Sequence, residues 1–123
     1  MSKVVVVDDD YSTTSLIRML LEMEGYVVST FTETSSALAE AEHGVTAFII
    51  DCYLGKNVSG IDLLRAIRQH TDPNLRAAPI IMVSGDQRLA ETVMEEGADL
   101  FLLKPYSPSD LTREMQELIA ARA

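Results

Sequence analysis

Five polar side chains close apolar runs, and their chemical types suit one another. Asp8 and Asp9 follow the run 4–7, Asp51 follows 47–50, Ser84 follows 80–83 and Lys104 follows 100–103. If those runs are parallel strands of one sheet, all five residues fall on one edge, where three carboxylates would repel unless a cation or protons relieved them. A hard divalent ion is the simpler remedy. Mg²⁺, or Mn²⁺ in its place, takes carboxylate, carbonyl and water oxygens and keeps positions free for a phosphate. Asp51 is then the candidate nucleophile, since a carboxylate can form an aspartyl phosphate. Asp8 and Asp9 would hold the metal directly or through water, with the backbone carbonyl of Tyr53, two places beyond Asp51, as a further ligand. Lys104 would pair with one phosphoryl oxygen and Ser84 would donate its hydroxyl to another.

The elements that must position these residues alternate along the chain. The β-branched run 4–7 reads as a strand, and residues 12–24, with Leu16, Ile17, Leu20, Leu21 and Met23 at helical spacing, read as a helix stopped at Gly25. Residues 26–31 read as a second strand, and Thr32 caps a helix over 33–41. Strand 47–50 leads through a loop with Gly55 and Gly60 into a helix over 61–69. Pro79 opens strand 80–83, residues 87–96 form a helix ended by Gly97, strand 100–103 follows, and Pro108 with Ser109 opens the last helix. Five β-α units in series imply an α/β fold of three layers, α/β/α, with a five-stranded parallel sheet. The order expected is the flavodoxin-like 2-1-3-4-5, in which ligands gather at the carboxyl ends of the strands.

Bulk properties narrow the classes. With 123 residues and 47% hydrophobic composition, one domain spanning 1–123 is expected. The apolar runs are far shorter than the roughly twenty residues a membrane span needs. Nineteen acidic against ten basic residues, a net charge of −9, disfavour attraction to nucleic acid or anionic lipid. No secretory leader opens the sequence, and the single cysteine, Cys52, reads as a small packed residue, so the cytoplasm is the expected compartment.

From Lys3 to Arg122 the chain resembles the receiver domains of two-component response regulators. Val-Val-Asp-Asp at 6–9 resembles the family's acidic pair, Ile-Ile-Asp at 49–51 its phosphoacceptor, Val-Ser-Gly at 83–85 its switch hydroxyl, and Lys104-Pro105 its lysine followed by a cis proline. Phe101 matches the switch aromatic. Each motif alone is weak, whereas their joint order and spacing are specific. The resemblance implies that Asp51 accepts a phosphoryl group from a sensor histidine kinase or a histidine phosphotransfer protein. Ser84 and Phe101 then reshape a surface around the helix after the fourth strand, the fifth strand and the last helix, for a downstream protein target. Nucleic acid and membrane are not expected as direct partners, nor is enzymatic turnover beyond the domain's own phosphorylation and dephosphorylation. Two departures stand out. Gly55 replaces a proline common in the family and Gly60 comes one place late, so the loop 52–59 carries one extra residue. The stretch between Ser84 and Lys104 is about two residues short of the chemotaxis type, which shortens its helix or the entry to it.

Blander readings compete at several positions. Asp51 as a turn aspartate would leave Asp8, Asp9 and Lys104 without a reason. Asp10 suits the N-terminus of the first helix better than a metal. Ser84 as a strand end and Phe101 as core remain compatible with the switch, and His43 and His70 read as solvated helix-end residues. A small Mg²⁺-dependent phosphatase, the rival from the enzyme class, would want a second aspartate two places after Asp51, where Tyr53 stands. A protein-interaction module that never takes phosphate would not need all five polar residues.

Overall fold

The computed structural model describes residues 2–55 and 58–122. Its elements are β1 (Lys3–Val7), α1 (Tyr11–Met23), β2 (Val27–Phe31), α2 (Thr34–Ala41), β3 (Ala47–Asp51), α3 (Gly60–Arg68), a short α4 (Pro73–Arg76) and β4 (Ile80–Ser84). A 3₁₀ turn (Gln87–Leu89) then leads into α5 (Ala90–Glu95), β5 (Leu100–Leu103) and α6 (Pro108–Ala121). All four pairings are parallel, in the order β2-β1-β3-β4-β5.

Strand periodicity divides the core into two layers. Val5, Val7, Phe48, Ile50, Ile80 and Met82 face α2, α3 and α5 through Ala37, Ala41, Leu63, Leu64, Ile67 and Val93. The alternate residues Val4, Val6, Ala47, Ile49, Ile81 and Val83 face α1 and α6 through Ile17, Leu21, Leu111 and Met115. Every residue of β3 and β4 is buried, which is why those strands read as unbroken apolar runs up to the polar residue that ends each.

Side chains start most of the helices. Asp10 accepts a hydrogen bond from Thr13 N, Ser59 from Ile61 N, Asp72 from Asn74 N and Ser107 from Asp110 N. Asp10 is therefore the cap that its position suggested. Helix α2 differs from expectation: Glu33, not Thr32, holds the cap position, and no side chain bonds there. Helix α4 was not anticipated, although Asp72 before Pro73 is a helix-start signal. After Ser84 the chain enters α5, which has six residues, through the 3₁₀ turn. His70 departs from the solvated reading: its Nε2 lies 2.9 Å from Glu42 Oε2, and its Nδ1 accepts from Asp72 N at 3.0 Å.

Candidate functional site

Parallel register brings the polar strand ends together. Val7 pairs with Ile50, Asp51 with Val83 and Ser84 with Leu103, so Asp8, Asp51, Ser84 and Lys104 end neighbouring strands at the carboxyl edge. Backbone bonds fix the chain just past those ends: Asp8 N donates to Phe31 O at 3.0 Å, Cys52 N to Val83 O at 2.9 Å and Lys104 N to Ser84 O at 2.8 Å. A Cβ on Gly60 would lie 1.9 Å from the Asp51 carbonyl oxygen, so only glycine lets the start of α3 sit against the Asp51 backbone. Spacing alone did not reveal that role. In loop 52–59 Tyr53 is bridged to Ser59 in antiparallel fashion and Gly55 lies at φ 96°. Residues 56 and 57 of that loop lie outside the described residues.

Asp8, Asp9 and Asp51 each present an oxygen, and these oxygens lie within 4.8 Å of one another. Asp8 and Asp51 are buried and Asp9 is exposed. Lys104 Nζ donates to Asp51 Oδ2 at 2.7 Å and to Asp8 Oδ2 at 3.2 Å. The remaining oxygens are also engaged, Asp8 Oδ1 by Asp10 N at 2.9 Å and Asp51 Oδ1 by Tyr53 N at 3.0 Å. Burial raises the pKa of Asp8 above the usual carboxylate range; the Asp10 N–H works against that shift and the Asp51 charge adds to it. Burial also opposes the Lys104 charge, but its hydrogen bond to Asp51 and the fields of Asp8 and Asp51 outweigh burial and raise its pKa. The ammonium is thus firmly protonated between two carboxylates.

The other candidates fall around this cluster. Ser84 is buried, and its Oγ accepts from Asp86 N at 3.0 Å, which leaves the hydroxyl proton free to donate elsewhere. Phe101 is half-buried and packs against the core layer of α2, α3 and α5. The Lys104-Pro105 peptide bond is cis. Cys52 is buried beside the cluster, and burial with the Asp51 charge pushes its thiol up to about 11, which makes it inert. A groove of about 440 Å³ opens beside Asp8 and Asp9, bordered by Tyr11, Thr32 and Glu33. Sequence reading did not single out Tyr106, two places past Lys104, whose phenolic oxygen is buried without a hydrogen-bond partner.

The donor set suits a hard cation. Two desolvated carboxylates and one exposed carboxylate converge, and Lys104 is the only cation bonded to them among the described residues, so negative charge remains uncompensated. Asp8 and Asp51 with Asp9 are the groups that would hold Mg²⁺.

A doubly wound parallel sheet with an acidic cluster and a lysine at its carboxyl edge defines a signalling domain of two-component systems. The chain belongs to the response regulator receiver domain family, which it matches over residues 4–116. It is 32% identical over 121 residues to the transcriptional regulatory protein CpxR of Escherichia coli K12, covering 97% of this chain and 50% of that protein. The chain spans about half the length of the curated relatives it matches. Among solved structures, the Vibrio cholerae chemotaxis protein CheY4 superposes with a TM-score of 0.83 at 26% identity, covering 96% of this chain and 98% of that one. The receiver domain of the Pseudomonas aeruginosa PAO1 sensor histidine kinase PA1611 superposes with a TM-score of 0.82 at 27% identity, covering 97% and 98%. That structure carries a magnesium ion in its active site cleft. Among the described residues no helix is long and apolar enough to cross a membrane.

Proposed function

We propose that Asp51 is the phosphoacceptor of this domain and that it takes its phosphoryl group from a phosphohistidine on a sensor histidine kinase or histidine phosphotransfer protein. A carboxylate oxygen of Asp51 attacks phosphorus, the N–P bond breaks, and the imidazole leaves with the bonding pair. Asp8, Asp9, Asp51 and the Tyr53 carbonyl would hold Mg²⁺, or Mn²⁺, which would supply positive charge for the transferring group. Lys104 exchanges carboxylate partners for a phosphoryl oxygen and Ser84 donates its free hydroxyl proton to another. The observation that carries this reading is Lys104 Nζ bridging Asp51 at 2.7 Å and Asp8 at 3.2 Å, a cation already seated among the carboxylates.

Ser84 then moves toward the phosphoryl group and Phe101 follows, shifting the surface of α5, β5 and α6 that meets a downstream protein. Chain 1–123 acts as a single domain in the cytoplasm, turns over only its own phosphoryl group, and does not itself contact nucleic acid or membrane. Incubation with acetyl phosphate and Mg²⁺, followed by intact-mass measurement and borohydride trapping, should place one adduct on Asp51. Chelation of the metal, or Asp51→Asn, should remove it. An adduct that persists in Asp51→Asn, or none in the wild-type protein, would refute the assignment.

A further inference from the structure

The two ends of α5 are fastened by different means. Just past its last turn, Arg65 of α3 grips Glu96, its Nη2 donating to Oε1 at 3.2 Å and its Nε lying 3.1 Å from Oε2. At the next residue Arg68 Nε donates to the Gly97 carbonyl at 2.8 Å, and a Cβ on Gly97, at φ 106°, would come within 3.2 Å of the Arg68 side chain. Arg68 is bound in turn to Arg76 O, Ala78 O and Asp99. The chain beyond is pinned by Ala98 N donating to Val93 O at 3.0 Å and Asp99 N to Ile80 O at 2.9 Å. The far end of α5 is thus built into the amino edge of the sheet.

The entry end is held more lightly. No residue of the 3₁₀ turn Gln87–Leu89 is buried, and α5 itself buries only Val93. Asp86, which caps the turn, spends its side chain within it: the carboxylate accepts from Arg88 N, Nε and Nη2 at 3.0, 2.9 and 3.0 Å. Its carbonyl accepts from Leu89 N at 3.1 Å. These bonds close the turn on itself. What carries it back to β4 is Asp86 N donating to Ser84 Oγ at 3.0 Å.

When Ser84 turns toward a phosphoryl group on Asp51, the Asp86 amide loses its acceptor, and the weakly held end of α5 is freed while the strongly held end is not. We propose that α5 is a lever: Arg65 and Arg68 fix its far end, the Ser84 hydroxyl latches its entry, and release of that latch turns the helix about Glu96 and Gly97. The trigger rests on the phosphoacceptor reading of Asp51; the latch and the hinge do not. Displacement is greatest at the exposed residues Gln87 and Arg88 and fades toward Ala98, so a downstream protein reads the entry of the helix and not its end.

Amide hydrogen exchange in the full chain tests the latch without phosphate. In metal-free Ser84→Ala the Asp86 amide should exchange about five- to tenfold faster than in wild type, the worth of one hydrogen bond. Gln87–Leu89 should follow, while Gly97 and Ala98 keep their wild-type rates. Arg68→Ala should do the reverse, speeding Gly97 and Ala98 and leaving Asp86 alone. Arg65→Gln, at a partly exposed ion pair, should fold as wild type and show that second pattern at about twofold. In the Mg²⁺–beryllofluoride adduct of the wild type, amide shift changes should fall from Asp86 to near nothing at Ala98. Equal acceleration at both ends in Ser84→Ala, an Asp86 amide indifferent to that substitution, or adduct shifts at Gly97 and Ala98 as large as those at Gln87–Leu89 would each overturn the lever. A wild-type protein that forms no adduct, while Ser84→Ala behaves as stated, refutes the phosphoacceptor trigger and leaves latch and hinge standing.

Discussion

At the amino edge of the sheet two guanidinium groups close on one carboxylate; at the carboxyl edge one ammonium stands among three carboxylates. Arg68 Nε donates to Gly97 O at 2.8 Å, its Nη1 to Arg76 O at 2.9 Å and Ala78 O at 2.7 Å, and its Nη2 to Asp99 Oδ2 at 2.9 Å. Asp99 also accepts from Ile80 N at 2.8 Å and from Arg122 Nη2 at 2.6 Å, while Arg122 Nε reaches Ala77 O at 3.0 Å. Both carboxylate oxygens of Asp99 are answered, and the knot ties α3, α4, β4, β5 and the end of α6 together. The carboxyl edge has surplus negative charge instead. One edge spends its charges on holding the fold, and the other keeps an imbalance that a cation and a phosphate can resolve.

Arg68→Ala should have the largest effect on stability. It removes four hydrogen bonds from a mostly buried guanidinium and leaves Asp99 short of a partner, a loss on the order of 3 kcal/mol in urea unfolding. An effect well below 1 kcal/mol would show that the amino edge is no knot. Gly60→Ala should come next, at roughly 2 kcal/mol, because its methyl must push the Asp51 carbonyl oxygen aside. It should also impair adduct formation at Asp51, whereas Arg68→Ala should leave the adduct intact in the folded fraction.

Asp8→Asn should have the opposite sign. With like charges crowded at the carboxyl edge, neutralising one should stabilise the metal-free protein by about 1 kcal/mol while weakening Mg²⁺ binding. Thermal unfolding in chelator, set beside calorimetric Mg²⁺ titration, separates the two effects; a less stable Asp8→Asn protein would contradict the picture of an overcharged edge. The smallest effect is the pH dependence of the same residue. Because burial raises the Asp8 pKa above its unfolded value of 3.8, its contribution is full below that value and is lost as pH rises through the folded pKa. In chelator, the wild type should therefore lose more stability than Asp8→Asn as pH is raised from 4 toward neutrality, by a margin read from paired denaturation curves.

Much of the carboxyl edge was legible in the sequence because it is built from local signals. A polar residue ending each apolar run, repeated in chain order, places Asp8, Asp51, Ser84 and Lys104 as soon as the sheet is parallel. The amino edge left no such trace. Arg68, Asp99 and Arg122 lie on unrelated helix and loop positions, and their pairing depends on how α3, the start of β5 and α6 stack, which no spacing encodes. The requirement for Gly60 was hidden for the same reason, since the atom it avoids belongs to Asp51, across the loop. Helix α4 did carry a signal in Asp72-Pro73, but four residues are too few to show periodicity. Tyr106 escaped notice because a tyrosine among apolar residues looks like core until its oxygen is found unpaired.

The most direct measurement is a map of amide chemical-shift changes as Mg²⁺ and then beryllofluoride are added to ¹⁵N-labelled protein. The account predicts that the Mg²⁺ step moves residues 8–10 and 51–53, that beryllofluoride extends the changes to Ser84, Phe101 and Lys104, and that Arg68, Asp99 and Arg122 stay still at both steps. Saturable shifts centred on the amino edge, or no response to either addition at Asp8 and Asp51, would contradict it.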